Sequence, residues 1–244
     1  MLSKATIKYI KSLQVKKYRK QEQSFVIEGA KTVQELLASD FEVLRLFATE
    51  SFLSENRVPS GIDVLEVKES ELDNIGGFQT NNGALAIARM KANQPPAIQR
   101  QSFVLVLDDI RDPGNLGTII RTADWYGINQ IVASNETADF YNSKVITSTM
   151  GSFTRVNIHY TDLEDFLSRA KGDVYGAYLD GKNVHDEKFD SGGFILIGNE
   201  SHGIAPSLEK FVTDKITIPR YGKAESLNAG IATAIICDNI MRHR

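Results

Sequence analysis

The chain has 244 residues, of which 42% are hydrophobic and 24% charged, and its formal net charge at pH 7 is −3. This size and composition are typical of a folded protein of one or two domains, and they exclude a disordered or fibrous chain. The small negative charge argues against a protein that wraps nucleic acid with its whole surface.

The sequence does not indicate a membrane span, an internal disulfide or a zinc site. No apolar run reaches the roughly 20 residues that span a bilayer, and the N-terminal segment lacks the apolar core of a secretion signal. These features predict a cytoplasmic protein with no membrane partner. The single cysteine, Cys237, cannot form an internal disulfide, and we expect no metal because zinc-binding spacing is missing among His159, His185, His202 and His243.

The first 20 residues are locally basic and contain no acid. Their apolar positions, Ile7, Ile10 and Leu13 or Gln14, recur at helical spacing, which predicts an amphipathic helix with its lysines in water. The same cations are suited to RNA, because neutralising phosphates releases counterions and adds affinity. The basic residues of this segment are Lys4, Lys8, Lys11, Lys16, Lys17, Arg19 and Lys20.

Apolar strands alternate with helical patterns between residue 24 and residue 90. This alternation predicts an α/β sandwich, which we assign to residues 1–92. A polar stretch with two adjacent prolines follows and predicts a linker over residues 93–101. The predicted strands are SFVIEG, VLRLFA, IDVLEV and GALAIARM, and the predicted helices are AKTVQELLAS and KESELDNIG.

The alternation resumes over residues 102–244 with more strongly apolar strands. Residues 103–107 and 194–197 are apolar throughout, as a parallel sheet buried on both faces requires. Ligands of such sheets bind beyond the carboxyl ends of the strands. The predicted strands are FVLVLDD, QIVAS, TRVNIHY, VYGAYLD, GFILIG and KITIP, and the predicted helices are LGTIIRTADWYG, SKVITSTM, LEDFLSRA and a terminal helix from Ser226 to about Met241.

The first polar strand end is DDIRDPGNLG, and a helix follows it. Pro113 restricts the residue before it, so we expect the helix to begin after Pro113 with Asn115 available as its cap. Arg121 lies away from the apolar face of this helix and one turn after Gly117. It either meets a ligand or pairs with a nearby acid. The apolar face comprises Leu116, Ile119, Ile120 and Ala123, and the candidate acids are Asp112 and Asp124.

Two more polar segments follow later strands. GNESHGI carries Glu200 in a glycine-flanked turn, and His202 beside it is either a base or an exposed loop residue. IPRYGKAESLN leads into the terminal helix, where we expect Ser226 to be the N-cap and Asn228 to lie in the first turn. The small residues Ala229 and Gly230 then permit close packing against another element.

Together these segments resemble the three signature motifs of the SpoU/TrmH family, RNA 2'-O-ribose methyltransferases of the SPOUT superfamily. The matching stretches are DPGNLGTIIRTAD, ILIGNESHGI and IPRYGKAESLNAGIATAI. The stretches FVIEGAKTVQELLAS and TNNGALAIARM resemble the L30e-like substrate-binding domain of the family. The resemblance implies an α/β fold in which this smaller domain precedes a SPOUT-type parallel sheet with a trefoil knot. It also implies a homodimer and S-adenosylmethionine bound in a bent form.

The resemblance implies roles for individual residues. Arg121, Asn115, Glu200, Ser226 and Asn228 correspond to the polar catalytic set. The cofactor-binding positions are Gly198, Asn199, Ile218, Leu227 and Ser226. The RNA-binding positions are Lys16, Lys17, Arg19, Lys20 and Arg121. The implied reaction is methylation of a ribose 2'-hydroxyl in RNA, with ribosomal RNA as the first expectation and transfer RNA as the second.

The identity of the proton acceptor stays open at this stage. Arginine is commonly proposed for this role in the family, but a guanidinium with a pKa above about 12 rarely releases its proton. Arg121 is equally suited to bind a phosphate and to stabilise the developing alkoxide, leaving Glu200, phosphate or water to accept the proton.

Two other functions fit the α/β pattern less well. A nicotinamide-dependent oxidoreductase needs a phosphate-binding glycine fingerprint, and neither GxGxxG nor a P-loop occurs. A non-catalytic RNA-binding protein has no need of the polar set at the three strand ends.

Overall fold

A computed structural model describes residues 2–77, 81, 83–99, 101–189 and 192–242. Two compact units are present. The first comprises residues 1–92 and 139–154, and the second comprises residues 93–138 and 155–244. No helix within the described residues is long and apolar enough to cross a membrane.

The first unit contains a mixed four-stranded sheet. Its strands are β1 Ser24–Glu28, β2 Val43–Ala48, β3 Asp63–Glu66 and β4 Ala84–Arg89. They lie in the order β1-β4-β2-β3, with β2 and β3 parallel and the other pairs antiparallel. All four correspond to strands predicted from the sequence.

Helices cover this sheet: α1 Lys4–Ser12, α2 Lys16–Glu22, α3 Ala30–Leu37, α4 Glu50–Glu55 and α5 Glu69–Ile75. Ile10 and Leu13 join the core cluster with Phe47 and Leu85, while Lys16, Lys17 and Lys20 are exposed, as the amphipathic pattern predicts. The basic segment nevertheless forms two helices separated by a turn. The short helix α4 was not anticipated by the apolar periodicity.

The second unit contains a six-stranded parallel sheet, as the apolar runs predict. Its strands are β5 Phe103–Leu107, β6 Gln130–Ala133, β7 Asn157–Tyr160, β8 Val174–Asn183, β9 Gly193–Ile197 and β10 Asp214–Thr217. Their order is β10-β8-β9-β5-β6-β7. Every residue of the central strand β5 is buried. Because β5 and β9 are neighbours, the polar segments that follow them emerge side by side.

The helices that follow β5 in the chain are α6 Pro113–Trp125, α7 Ser143–Thr149, α8 Leu163–Arg169 and α9 Ala229–Met241. The predicted apolar face of α6 is buried. Helices α6 and α9 pack closely where a methyl group added at Gly230 would lie 2.9 Å from Thr118 Cγ2. This confirms that the small residues at the start of α9 permit a close approach.

Residues 139–154, including α7, belong to the first unit although second-unit residues flank them in the chain. The Tyr141 ring lies 4.7 Å from the Phe25 ring, and the Phe153 ring lies 5.6 Å from that of Phe41, between ring centroids. Burial raises the pKa of Tyr141 to about 12. An aromatic cluster therefore holds this segment against β1.

Candidate active site

The carboxyl ends of β5 and β9 bring the first two polar segments together. Leu107 pairs with Ile197 at the ends of these strands, and the Asp108 N–H donates to the Ile197 carbonyl at 2.9 Å. The helix after β5 begins at Pro113, with Asp112 as its N-cap accepting from the Asn115 N–H at 2.8 Å. The prediction of Asn115 as the cap was therefore wrong. The Asn115 side chain is instead available to the site, because the Asp112 side chain accepts the hydrogen bond at the start of the helix.

One chain of hydrogen bonds joins all three polar segments. Asn115 Nδ2 donates to Glu200 Oε1, and Asn228 Nδ2 donates to Asn115 Oδ1 at 2.8 Å. The directions are fixed, because an ionised carboxylate only accepts and so the Asn115 amide nitrogen faces Glu200. The structure thus connects Asn115, Glu200 and Asn228, which lie far apart in sequence.

Asn228 has a second role that the sequence argument gave to Ser226. Helix α9 begins at Ala229, and Asn228 is its N-cap, with Oδ1 accepting from the backbone N–H groups of Gly230 and Ile231 at 3.0 and 3.3 Å. The predicted cap at Ser226 was wrong, because asparagine caps as well as serine and stands directly before the first helical residue. Ser226 is exposed in the loop before the cap.

Arg121 is exposed on α6, while Gly117 one turn earlier is buried. Neither candidate acid pairs with it: Asp124 binds Arg155, with its Oδ2 2.9 Å from Arg155 Nη2, and Asp112 caps the helix. Within the described part of the chain, Arg121 makes no hydrogen bond or ion pair with another side chain. Its guanidinium can therefore bind an anion without first breaking an internal contact.

The loop that carries Glu200 is a closed turn. The Asn199 N–H donates to the Gly203 carbonyl at 3.0 Å, and the Gly203 N–H donates to the Asn199 carbonyl at 2.9 Å. Any side chain at Gly198 would collide with the backbone of Gly203 and Ile204. Glycine is thus required at position 198 because two stretches of backbone meet there.

Two buried acids that the motif argument overlooked anchor this loop. Asp108 accepts from the Ala205 N–H at 2.7 Å, and burial raises the pKa of its carboxyl, with the neighbouring charge of Asp109 adding to the effect. Asp109 Oδ2 lies 3.2 Å from His202 Nε2. His202 therefore contacts a carboxylate at the base of the loop. The signal in the sequence was the pair of acids directly after an apolar strand.

The third segment carries apolar groups as well as the polar Asn228. Strand β10 ends at Thr217, Ile218 is half-buried beyond it, and Leu227 is 44% exposed although it is apolar. Such a surface suits a ligand with an apolar face and polar edges. Among the described residues, no group of His, Cys, Asp and Glu side chains could hold a metal ion, and His243 lies outside those residues.

In the first unit, one predicted RNA contact requires correction. Arg19 is only 2% exposed, and its guanidinium donates to the carbonyls of Leu13 and Gln14 and to Asp139 Oδ2 at 2.9, 2.8 and 2.7 Å. The turn after α1 leaves those carbonyls without helical partners, and Arg19 satisfies them. Arg19 therefore stabilises the fold and is not available to RNA.

Comparisons with known proteins identify the family of the chain. Residues 102–238 match the family described as the SpoU rRNA methylase family, and residues 4–86 match the MRM3-like substrate binding domain. The chain belongs to the SpoU rRNA methylase family. It is an S-adenosylmethionine-dependent RNA methyltransferase, and the comparisons do not favour the oxidoreductase hypothesis.

Individual relatives resemble the chain over almost its whole length. The 23S rRNA (guanosine(2553)-2'-O)-methyltransferase RlmP of Bacillus subtilis is 32% identical over 94% of this chain and 93% of its own. A Porphyromonas gingivalis structure, described as an RNA methyltransferase of the TrmH family, is 36% identical with a TM-score of 0.91 and full coverage of both chains. An AdoMet-bound rRNA methyltransferase from Sinorhizobium meliloti is 31% identical, with a TM-score of 0.89 over 100% of this chain and 96% of that one.

The residues present fit the cofactor of this family. S-adenosylmethionine contains an adenine ring, which has apolar faces and polar edges, and a charged amino-acid tail. The exposed apolar Leu227 directly precedes Asn228 of the hydrogen-bond chain, and the glycine-restricted backbone at Gly198 lies two residues before Glu200, so apolar and backbone surfaces adjoin the polar side chains. A binding site of this character is typical for a nucleoside-containing cofactor.

Proposed function

We propose that the protein transfers a methyl group from S-adenosylmethionine to a ribose 2'-hydroxyl of ribosomal RNA. The observation that carries this proposal is the Glu200–Asn115–Asn228 hydrogen-bond chain, whose Asn115 lies on the same helix as the exposed Arg121. The 23S rRNA specificity in the name of the B. subtilis relative favours ribosomal RNA over transfer RNA.

The reaction forms an oxygen–carbon bond and breaks the sulfur–methyl bond, while the hydroxyl loses its proton. S-adenosylmethionine supplies an electrophilic methyl group when bound. Arg121 binds the phosphate next to the target ribose and stabilises the developing alkoxide, because a guanidinium keeps its charge at neutral pH. The proton goes to Glu200, to the RNA phosphate or to water.

The amides and Ser226 align the reacting groups. Asn115 holds Glu200 in place through Nδ2, and Asn228 orients Asn115 while it caps α9. Correct alignment supplies a large part of the rate enhancement in a displacement of this kind. We propose that the exposed hydroxyl of Ser226 also helps to align the reacting groups. The residues proposed to bind the cofactor are Gly198, Asn199, Ile218, Ser226 and Leu227.

The first unit contributes RNA affinity in this proposal. The cations of Lys16, Lys17 and Lys20 are exposed on α2 and available to phosphates. Binding through them weakens as salt rises, because counterions released into a more concentrated salt solution gain less entropy. We also propose a cytoplasmic location, which is consistent with a ribosomal RNA substrate.

The homodimer is also part of the proposal. Helix α9 is rich in apolar residues, and Ile231 at its start is 53% exposed. On the helix that packs against it, Trp125 is 83% exposed. Large apolar side chains that are exposed together often mark a protein–protein contact, so we propose that a second copy of the chain covers Ile231 and Trp125.

The test is transfer of labelled methyl from S-adenosylmethionine to RNA from a strain lacking this gene. We compare the wild type with Arg121→Ala and with Arg169→Ala, a control at an exposed surface arginine. The expected product is an alkali-resistant 2'-O-methylated nucleotide in ribosomal RNA, formed by the wild type and the control but reduced at least about 100-fold in Arg121→Ala. Label in a base, or in transfer RNA alone, would contradict the proposal.

A further inference from the structure

Asp109 occupies an unusual backbone position at the end of β5. Its φ angle is +57°, and the residue is only 7% exposed. Left-handed backbone is adopted readily by glycine and tolerated by asparagine and aspartate. The Asp109 N–H donates to Ser134 Oγ at 3.0 Å, which ties this position to the end of β6.

Asp109 contacts the Glu200 loop on both sides of Glu200. Its backbone carbonyl accepts from Asn199 Nδ2 at 2.7 Å, and its Oδ2 lies 3.2 Å from His202 Nε2. A carboxylate only accepts, so His202 Nε2 carries the hydrogen. The other carboxylate oxygen, Oδ1, accepts from Arg111 Nε at 2.7 Å.

These contacts reach Glu200 through a rigid turn. The paired backbone bonds between Asn199 and Gly203 close the loop, so holding Asn199 and His202 also fixes the residue between them. Glu200 in turn receives the Asn115 amide. A displacement of the loop at Asp109 would therefore be transmitted to the whole Glu200–Asn115–Asn228 chain.

Position 109 could require its residue either for the left-handed backbone alone or for the carboxylate as well, and the residue type distinguishes these two explanations. If only the backbone mattered, glycine would suit the left-handed conformation better than any other residue. Asparagine would keep one acceptor oxygen but present N–H groups to the second donor. Aspartate alone satisfies both His202 and Arg111 while tolerating the backbone angle.

We propose that Asp109 is a positioning residue for methyl transfer: it holds the closed loop 199–203 so that Glu200 faces Asn115. This inference rests on the proposed function. In this role Asp109 acts through its contacts with Asn199 and His202. Its contribution thus appears in the turnover number and in the mobility of the loop, and only weakly in global stability.

The first test uses Asp109→Gly, which removes the carboxylate and places at this left-handed position the residue that adopts it most readily. Asp109→Asn is the conservative variant. We expect kcat to fall about tenfold or more in Asp109→Gly, with partial recovery in Asp109→Asn, because small misalignments of reacting groups have large effects on rate. The melting temperature stays close to that of the wild type. An unchanged kcat in Asp109→Gly would overturn the proposal.

A double-mutant comparison tests whether Asp109 acts through Glu200. In a Glu200→Ala background, which removes the acceptor of the Asn115 amide, Asp109→Gly should cause no further loss of kcat, since residues that act as a unit are not additive. Losses that multiply would show that Asp109 acts independently of Glu200, and the positioning role would be rejected.

Hydrogen exchange of the RNA-free protein gives a readout independent of methyl transfer. Amides of residues 199–205 should exchange at least about tenfold faster in Asp109→Gly than in the wild type, while those of β6 stay unchanged. Equal exchange rates would refute the proposal. If the wild type transfers no methyl to RNA, the proposed function fails, and this experiment alone decides whether Asp109 holds the loop.

Discussion

Replacing Asn228 by aspartate separates its two roles, helix capping and orientation of Asn115. The carboxylate keeps an acceptor for the Gly230 and Ile231 N–H groups, and its charge adds about 0.3–1 kcal/mol at a helix N-terminus. Toward Asn115, however, it offers an acceptor where the wild type offers a donor. Asn115 cannot turn its amide to compensate, because Glu200 requires the Nδ2 donor.

The magnitudes follow from these contacts. Asn228→Ala loses the cap, which costs about 1 kcal/mol, and the melting temperature of a chain of this size falls by about 2–4 °C per kcal/mol. Asn228→Asp should melt at or above the wild-type temperature. Both variants should lose at least about tenfold in kcat, because Asn115 is no longer held in its orientation.

The assay pairs thermal unfolding with single-turnover methyl transfer for the wild type, Asn228→Asp and Asn228→Ala. Asn129→Asp, an identical change at an exposed site, controls for the added charge. Wild-type activity in Asn228→Asp would show that the hydrogen bond to Asn115 has no catalytic value. A melting temperature for Asn228→Asp as low as that of Asn228→Ala would refute the capping role.

Three further predictions concern the fold. Gly198→Ala should abolish activity and increase proteolysis near residue 200, because the added methyl group collides with backbone; wild-type activity would refute this. Asp139→Asn should lower the free energy of unfolding by about 3–5 kcal/mol in urea titrations, since it leaves the buried Arg19 charge uncompensated; a loss under about 1 kcal/mol would mean that water reaches the pair. The thiol of Cys237, fully buried with its pKa raised to about 12 by burial, should resist a thiol reagent at pH 8 until denaturant is added; rapid labelling of the native protein would contradict this.

Periodicity was sufficient for most of the architecture. A fully buried strand such as β5 needs apolar side chains on both faces, so its sequence leaves little choice of environment. The short helix α4 was missed, because a helix of under two turns offers too few apolar positions to establish a period. The trefoil knot came from the family resemblance alone and stays a prediction, since pattern rules argue against knots.

Polar positions were harder to predict because one residue type serves several purposes. Asp112 and Asn115 are both good caps, and only the folded chain shows that Asp112 caps α6 while Asn115 turns to Glu200. Arg19 looked like a surface cation until the turn after α1 supplied carbonyls for it. These assignments depend on partners that are remote in sequence or created by a break in a helix.

The assignment of residues 139–154 to the first unit limits how the two units can be recombined. The chain passes between the units at 92/93, 138/139 and 154/155. Grafting the first 92 residues onto another catalytic module would leave behind Asp139, the partner of Arg19, and Phe153, the neighbour of Phe41. A transplanted first unit therefore needs a recipient that supplies an equivalent of residues 139–154, so gene fusion after residue 92 alone would yield a chimera with an unmatched buried cation.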